Sequence, residues 1–105
     1  NGILYISGQI PVNPATGKMV EKDIQKQTEQ VFENIRSILE KAGYNFSNVV
    51  KTTVFLTDMD QFAEMNNIYK KYYTDACPTR STIAVKELPL NALVEIETIA
   101  IKSHT

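Results

Sequence analysis

One cysteine and one histidine are too few to build a zinc site, and Cys77 alone cannot close an internal disulfide. A soluble protein of the cytoplasm is therefore expected. No apolar run approaches the roughly 20 residues of a membrane span, and no secretory leader is expected. Neither GxGxxG nor GxxxxGKS/T occurs, so both nucleotide-binding fingerprints are missing. Charge of one sign is missing too. Eleven basic and twelve acidic residues leave a net charge of −1 at pH 7. The lysines and arginines are spread along the chain and form no basic stripe, which argues against nucleic acid and against a membrane surface.

What is present is ordinary globular material. The 105 residues, 43% hydrophobic and 22% charged, suit a single domain spanning 1–105. Residues 3–7 already read as a strand, with only Asn1-Gly2 before them. Asn-Gly is a strong hairpin signal, and a hairpin needs a strand on both sides. The chain is therefore expected to begin after an N-terminal strand of a longer protein.

Residues 9–17 are rich in turn signals, with Pro11, Asn13-Pro14 and Thr16-Gly17, and residues 18–20 suit a short edge strand. Asp23 is a candidate N-cap for a helix whose apolar positions are Ile24, Val31, Phe32, Ile35, Ile38, Leu39 and Ala42. Gly43 stops it. Lys26, Glu29, Glu33, Arg36 and Glu40 form its solvated side. Residues 49–57 hold six β-branched residues in nine and predict a strand. Asp58 or Asp60 caps a second helix with Phe62, Met65, Tyr69, Tyr72 and Tyr73 on its inner stripe. That helix is expected to end before Cys77-Pro78. Strands over 81–85 and 93–101 follow, joined through 87–91.

The order β-(turn)-α-β-α-β-β predicts an α+β fold with strand–helix–strand crossovers in one sheet and both helices on one face. In the last strand Val94, Ile96, Thr98 and Ala100 point one way. Leu93, Glu95, Glu97, Ile99 and Ile101 point the other way. Two helices cannot cover both faces, so another copy of the chain is expected to bury the second one.

Arg80 and Glu95 are the leading chemical candidates. Arg80 is placed just before a strand, where a guanidinium is a fork for a carboxylate. Most arginines make surface ion pairs instead, and spacing alone slightly favours that. Glu95 and Glu97 alternate with Val94 and Ile96 on the face away from the helices. They suit either a wet sheet face or one carboxylate working as a base in an intersubunit pocket. Together Arg80 and Glu95 suggest one small pocket for an anionic metabolite. Ser7 and Gly8 end the first strand, where a glycine permits close approach of a ligand. Asn66 sits inside a helix, a place asparagine disfavours. The tyrosines read as core. Ser81 has no histidine partner for a triad, and Cys77 has only Arg80 as an activating neighbour in sequence.

Four segments together resemble the reactive intermediate deaminase (RidA, YjgF) family. They are Ile6-Ser7-Gly8-Gln9-Ile10-Pro11, Lys51-Thr52-Thr53-Val54-Phe55-Leu56, Cys77-Pro78-Thr79-Arg80-Ser81 and Val94-Glu95-Ile96-Glu97-Thr98-Ile99-Ala100. The resemblance runs along the whole chain. It implies a chorismate-mutase-like mixed sheet with two helices on one face, assembled as a homotrimer with a central barrel and intersubunit sites. It implies hydrolysis of 2-imino acids and their enamine tautomers to 2-oxo acids and ammonia, with no metal and no organic cofactor. Arg80 would bind the substrate carboxylate and Glu95 would position water. Ser7, Gly8, Asn66 and Thr82 would line the ligand, Thr82 at a position often held by cysteine. The family's pocket-facing tyrosine belongs to a segment preceding this chain, and the loop leading to Cys77 is short for the family. Rival readings are a carboxylate-binding regulatory module without turnover and an endoribonuclease.

Overall fold

A computed structural model of the protein describes residues 2–103. Asn1, with the hairpin read at Asn1-Gly2, and His104 lie outside the described residues. Strands β1 (Gly2–Gln9), β4 (Val49–Leu56), β5 (Thr79–Ala84) and β6 (Val94–Lys102) form one mixed sheet in the order β1-β6-β4-β5. The short β2 (Val12–Asn13) and β3 (Lys18–Met19) pair as a separate ribbon. Helices α1 (Ile24–Lys41) and α2 (Phe62–Tyr72) pack on the same side of the main sheet. The last strand thus inserts between β1 and β4 and runs antiparallel to both, while β4 and β5 are parallel across the α2 crossover. This is the expected α+β architecture. Among the described residues, no helix is long and apolar enough to cross a membrane.

Local chemistry explains the helix ends. Asp23 accepts from the Lys26 amide at 2.9 Å and caps α1. At the other end Gly43 adopts φ 82°, and the Gly43 and Tyr44 amides return to Glu40 and Leu39. That pairing satisfies carbonyls the helix would leave open. Val31, Phe32, Ile35 and Leu39 are fully buried, whereas Ala42 is exposed because it is the C-cap itself. Burying each large side chain stabilises the fold by about 1.5–3 kcal/mol. The buried Gln27 accepts from the Leu93 amide at 2.8 Å and ties α1 to the start of β6.

Several boundaries differ from the sequence reading. Asp58 caps a single 3-10 turn at Met59–Gln61, and α2 itself has no side-chain cap. The second helix does end before Cys77-Pro78 as expected, at Tyr72, where Tyr73 leaves helical geometry and packs its ring against Phe32, Phe46 and Tyr69. Strand β5 begins at Thr79, so Arg80 lies inside the strand and not ahead of it. Parallel pairing with Thr52 extends the strand by two residues that sequence alone left in the loop.

Burial raises the phenols of Tyr69, Tyr72 and Tyr73 above their ordinary value of 10.0, Tyr72 to about 12. Below pH about 10 these phenols keep their protons whether the chain is folded or not. Above it the unfolded chain loses protons that the native state retains, so stability falls as pH rises through the raised values. Urea midpoints are therefore expected to hold steady up to pH about 9.5 and then decline continuously towards pH 12. A midpoint unchanged at pH 11.5 would contradict this account.

Candidate functional site

Strand register decides which side chains can meet. Thr52, Val54 and Leu56 of β4 face the helices, and β5 is in register with them, so Arg80 opposite Thr52 and Thr82 opposite Val54 face the helices too. On β6 the buried Val94, Ile96, Thr98 and Ala100 take the helix side. Glu95 and Glu97 therefore stand on the open face, Glu95 half-buried and Glu97 exposed. Within one chain Arg80 and Glu95 lie on opposite faces of the sheet. The single pocket expected to hold both is not formed by one copy, because strand pairing puts an even-numbered residue of β5 and an odd-numbered residue of β6 on different sides.

Arg80 occupies a cleft of about 330 Å³ lined by Asn66, Tyr69, Lys70, Tyr73, Cys77 and Pro78. Its Nη1 donates to Asn66 Oδ1 at 2.6 Å. Its guanidinium carbon stands 4.4 Å from the Tyr69 ring centre and 5.2 Å from that of Phe62. Tyr69 is held in turn by a 2.7 Å hydrogen bond between its hydroxyl and that of Thr52. Burial raises the Tyr69 phenol, against the opposing pull of the Thr52 bond and of the Arg80 charge. Among the described residues, no carboxylate forms a salt bridge with Arg80. The cleft thus presents a cation that is stacked and aimed but paired with no carboxylate of the described residues.

The open face carries the second half. A bulge at Ser7 and Gly8 breaks the β1–β6 register between Ile6 and Gln9. Gly8 comes so close to Glu95 that a Cβ there would stand 1.8 Å from Glu95 Oε2. Only glycine leaves the carboxylate its place. Ser7 and Glu97 line a groove of about 340 Å³ on the same face, with Tyr5, Lys51 and Thr53. Apolar surface surrounds it. Ile3 is 54% exposed, Tyr5 72% and Ile101 46%.

Asn66 thus meets Arg80, and Gly8 meets Glu95. Ser7 lies beside Glu97, while Thr82 sits half-buried on β5, outside the cleft lining. The tyrosines were expected as core, and Tyr69 and Tyr73 are core, but they also line the Arg80 cleft. Phe62 was read only as part of the inner stripe, and Lys70 was not singled out. A basic residue directly after an inner aromatic, Lys70 after Tyr69, was the available signal, and it is common in unrelated helices. Cys77 enters the cleft, its thiol donating to the Tyr73 carbonyl at 3.5 Å. Among the described residues, no three His, Cys, Asp or Glu side chains gather to hold a metal.

Residues 1–102 match the family profile described as endoribonuclease L-PSP. A RutC family protein of Aquifex aeolicus is 52% identical over 104 residues, covering 97% of this chain and 82% of that one. Reactive Intermediate Deaminase A, chloroplastic, of Arabidopsis thaliana is 46% identical over 100 residues, covering 95% of this chain and 54% of that one. The crystal structure of E. coli TdcF with bound serine superposes with a TM-score of 0.93 at 39% identity, covering 98% of this chain and 83% of that one.

Proposed function

The chain belongs to the RidA (YjgF) family, whose profile bears the description endoribonuclease L-PSP, and we propose that it hydrolyses 2-imino acids and their enamine tautomers to 2-oxo acids and ammonia. One observation carries the proposal: the Arg80 guanidinium, stacked on Tyr69, hydrogen-bonded to a neutral amide and paired with no carboxylate of the described chain. Such a group is built for a ligand carboxylate. Serine in the related TdcF structure is a ligand of this class, an α-amino acid close in shape to a 2-imino acid.

The proposed site is intersubunit. Arg80 and Glu95 lie on opposite faces of one sheet, so the Arg80 cleft of one protomer is completed by the Glu95 face of its neighbour. The apolar open face supplies the reason to assemble, and a homotrimer with its three sheets closed into a central barrel buries it. Sedimentation equilibrium at micromolar concentration is expected to give the trimer mass. A stable monomer would remove this architecture and the composite site with it.

In the proposed reaction Arg80 holds the carboxylate and places the C=N carbon beside a water on Glu95. Glu95 takes a proton from the water as its oxygen bonds to that carbon, and the C=N electron pair moves to nitrogen, which takes that proton back from Glu95 to give the neutral carbinolamine. Glu95 then takes the carbinolamine hydroxyl proton as the C=O bond re-forms. It delivers this second proton to nitrogen as the C–N bond breaks and ammonia leaves. No step needs a metal or an organic cofactor. The test is turnover of freshly generated 2-iminobutanoate against its spontaneous hydrolysis. Tight binding of 2-oxobutanoate with no acceleration would favour a carboxylate-sensing module instead. An RNA substrate is disfavoured by the net charge of −1 and the dispersed lysines.

Gly8 offers an independent check. A Gly8→Ala methyl group must displace the Glu95 carboxylate. Turnover is expected to fall by on the order of 10²-fold, the cost of a misplaced catalytic group. Circular dichroism should show an intact fold. Full activity in Gly8→Ala would mean that the place of Glu95 above Gly8 is not used.

A further inference from the structure

Asn66 stands in the interior of α2, and its Oδ1 is taken by Arg80 Nη1 at 2.6 Å. We infer that Asn66 is a positioning residue, a neutral acceptor that turns the Arg80 guanidinium towards a ligand carboxylate without consuming its charge. The inference rests on the function proposed above and adds what prepares the cation.

Three observations converge on it. A guanidinium has five N–H donors, and Asn66 engages Nη1. That leaves the edge formed by Nε and Nη2, one of the two-donor edges a carboxylate grips. The Tyr69 and Phe62 rings, at 4.4 and 5.2 Å, restrict the plane of the group. Tyr69 cannot yield easily, because Thr52 pins its hydroxyl and Thr52 is the strand partner of Arg80 itself. Aromatic contact fixes the plane, and Asn66 fixes rotation within it. An aspartate in place of Asn66 would orient the group as well, but would neutralise the charge that the ligand needs. This also explains an asparagine inside a helix, a location it does not favour on propensity.

The test compares the unaltered chain with Asn66→Ala and Asn66→Asp. Nitrogen-15 NMR reports rotation of the Arg80 guanidinium, and calorimetry with 2-oxobutanoate reports carboxylate binding. In the unaltered chain, rotation about the Nε–Cζ bond is expected to be slow. In Asn66→Ala it should become fast, with affinity lowered roughly 10-fold to 100-fold, the range for one hydrogen bond to a charged group. KM should rise in step while kcat changes little. Alanine is the better helix former, so loss of folding does not mimic this outcome. In Asn66→Asp the guanidinium should stay restrained while affinity falls further. In an Arg80→Ala background, Asn66→Ala should add no further loss. A restrained Arg80 or full affinity in Asn66→Ala overturns the inference, as does Asn66→Asp binding as tightly as the unaltered chain. If the unaltered chain binds no 2-oxo acid while Arg80 is restrained through Asn66, the proposed function fails and the positioning role is upheld.

Discussion

Arg80→Ala is expected to abolish imine hydrolysis while the chain stays folded and assembled. The side chain lies on the edge strand, half-buried, and its one hydrogen bond within the described chain is to Asn66. Removing it deletes stacking on Tyr69 and Phe62 but opens no sealed cavity in the core, so the stability change should be modest. The functional loss is of another order. Two hydrogen bonds from a charged donor contribute roughly 3–6 kcal/mol to holding a carboxylate, or about 10²–10⁴ in rate. Spontaneous hydrolysis of the imine would then hide what remains. Arg80→Lys keeps the charge but offers a point in place of a planar fork, and it cannot span Asn66 and a ligand in the same geometry. It should recover little. The measurement is the rate of 2-iminobutanoate loss above background, with sedimentation confirming assembly. Near-normal acceleration by Arg80→Ala would remove the carboxylate clamp from the mechanism.

Glu95→Gln should separate binding from chemistry. Glutamine keeps the size of the side chain and an acceptor oxygen, but it cannot take up the proton of an attacking water. Binding of 2-oxobutanoate should persist, and turnover should fall by roughly 10²–10⁴, the usual share of general acid–base catalysis. Glu97→Gln is the control. Glu97 shares the face but lies two residues along β6, roughly 6.6–6.8 Å away, too far to hold the same water. It lines the groove with Ser7 and Lys51, whereas Glu95 sits against Gly8. A mild effect is expected. Equal losses in the two variants would mean that the wrong carboxylate has been chosen. An active Glu95→Gln would mean that no carboxylate activates the water.

Much of this molecule is legible in short stretches of chain. The Asp23 cap, the Gly43 stop and the α1 stripe are effects between residues at most five apart, so spacing reveals them. The alternation along β6 likewise separates Val94 and Ile96 from Glu95 and Glu97, and burial follows that division. The motifs that signal the family are local as well. Less legible was anything that depends on which strands become neighbours. Arg80 read as a loop residue has no face at all. Paired with Thr52, it acquires one, and that face is the wrong side of the sheet for meeting Glu95. Tyr69 read as a core aromatic. Its second role, as the surface on which Arg80 lies, needs α2 packed across β5.

Composition and periodicity by themselves determined the two helices, the four long strands, the single-sided helical layer and a second sheet face that no helix covers, because these arise from contacts between near neighbours in the chain and from alternation along each strand. The tertiary structure alone decided that β6 inserts between β1 and β4, that Asn66 reaches Arg80, that Glu95 rests over Gly8 and that the two leading residues face apart. Each of those depends on the register of strands distant in sequence, and a shift of one residue in register exchanges the two faces of a strand.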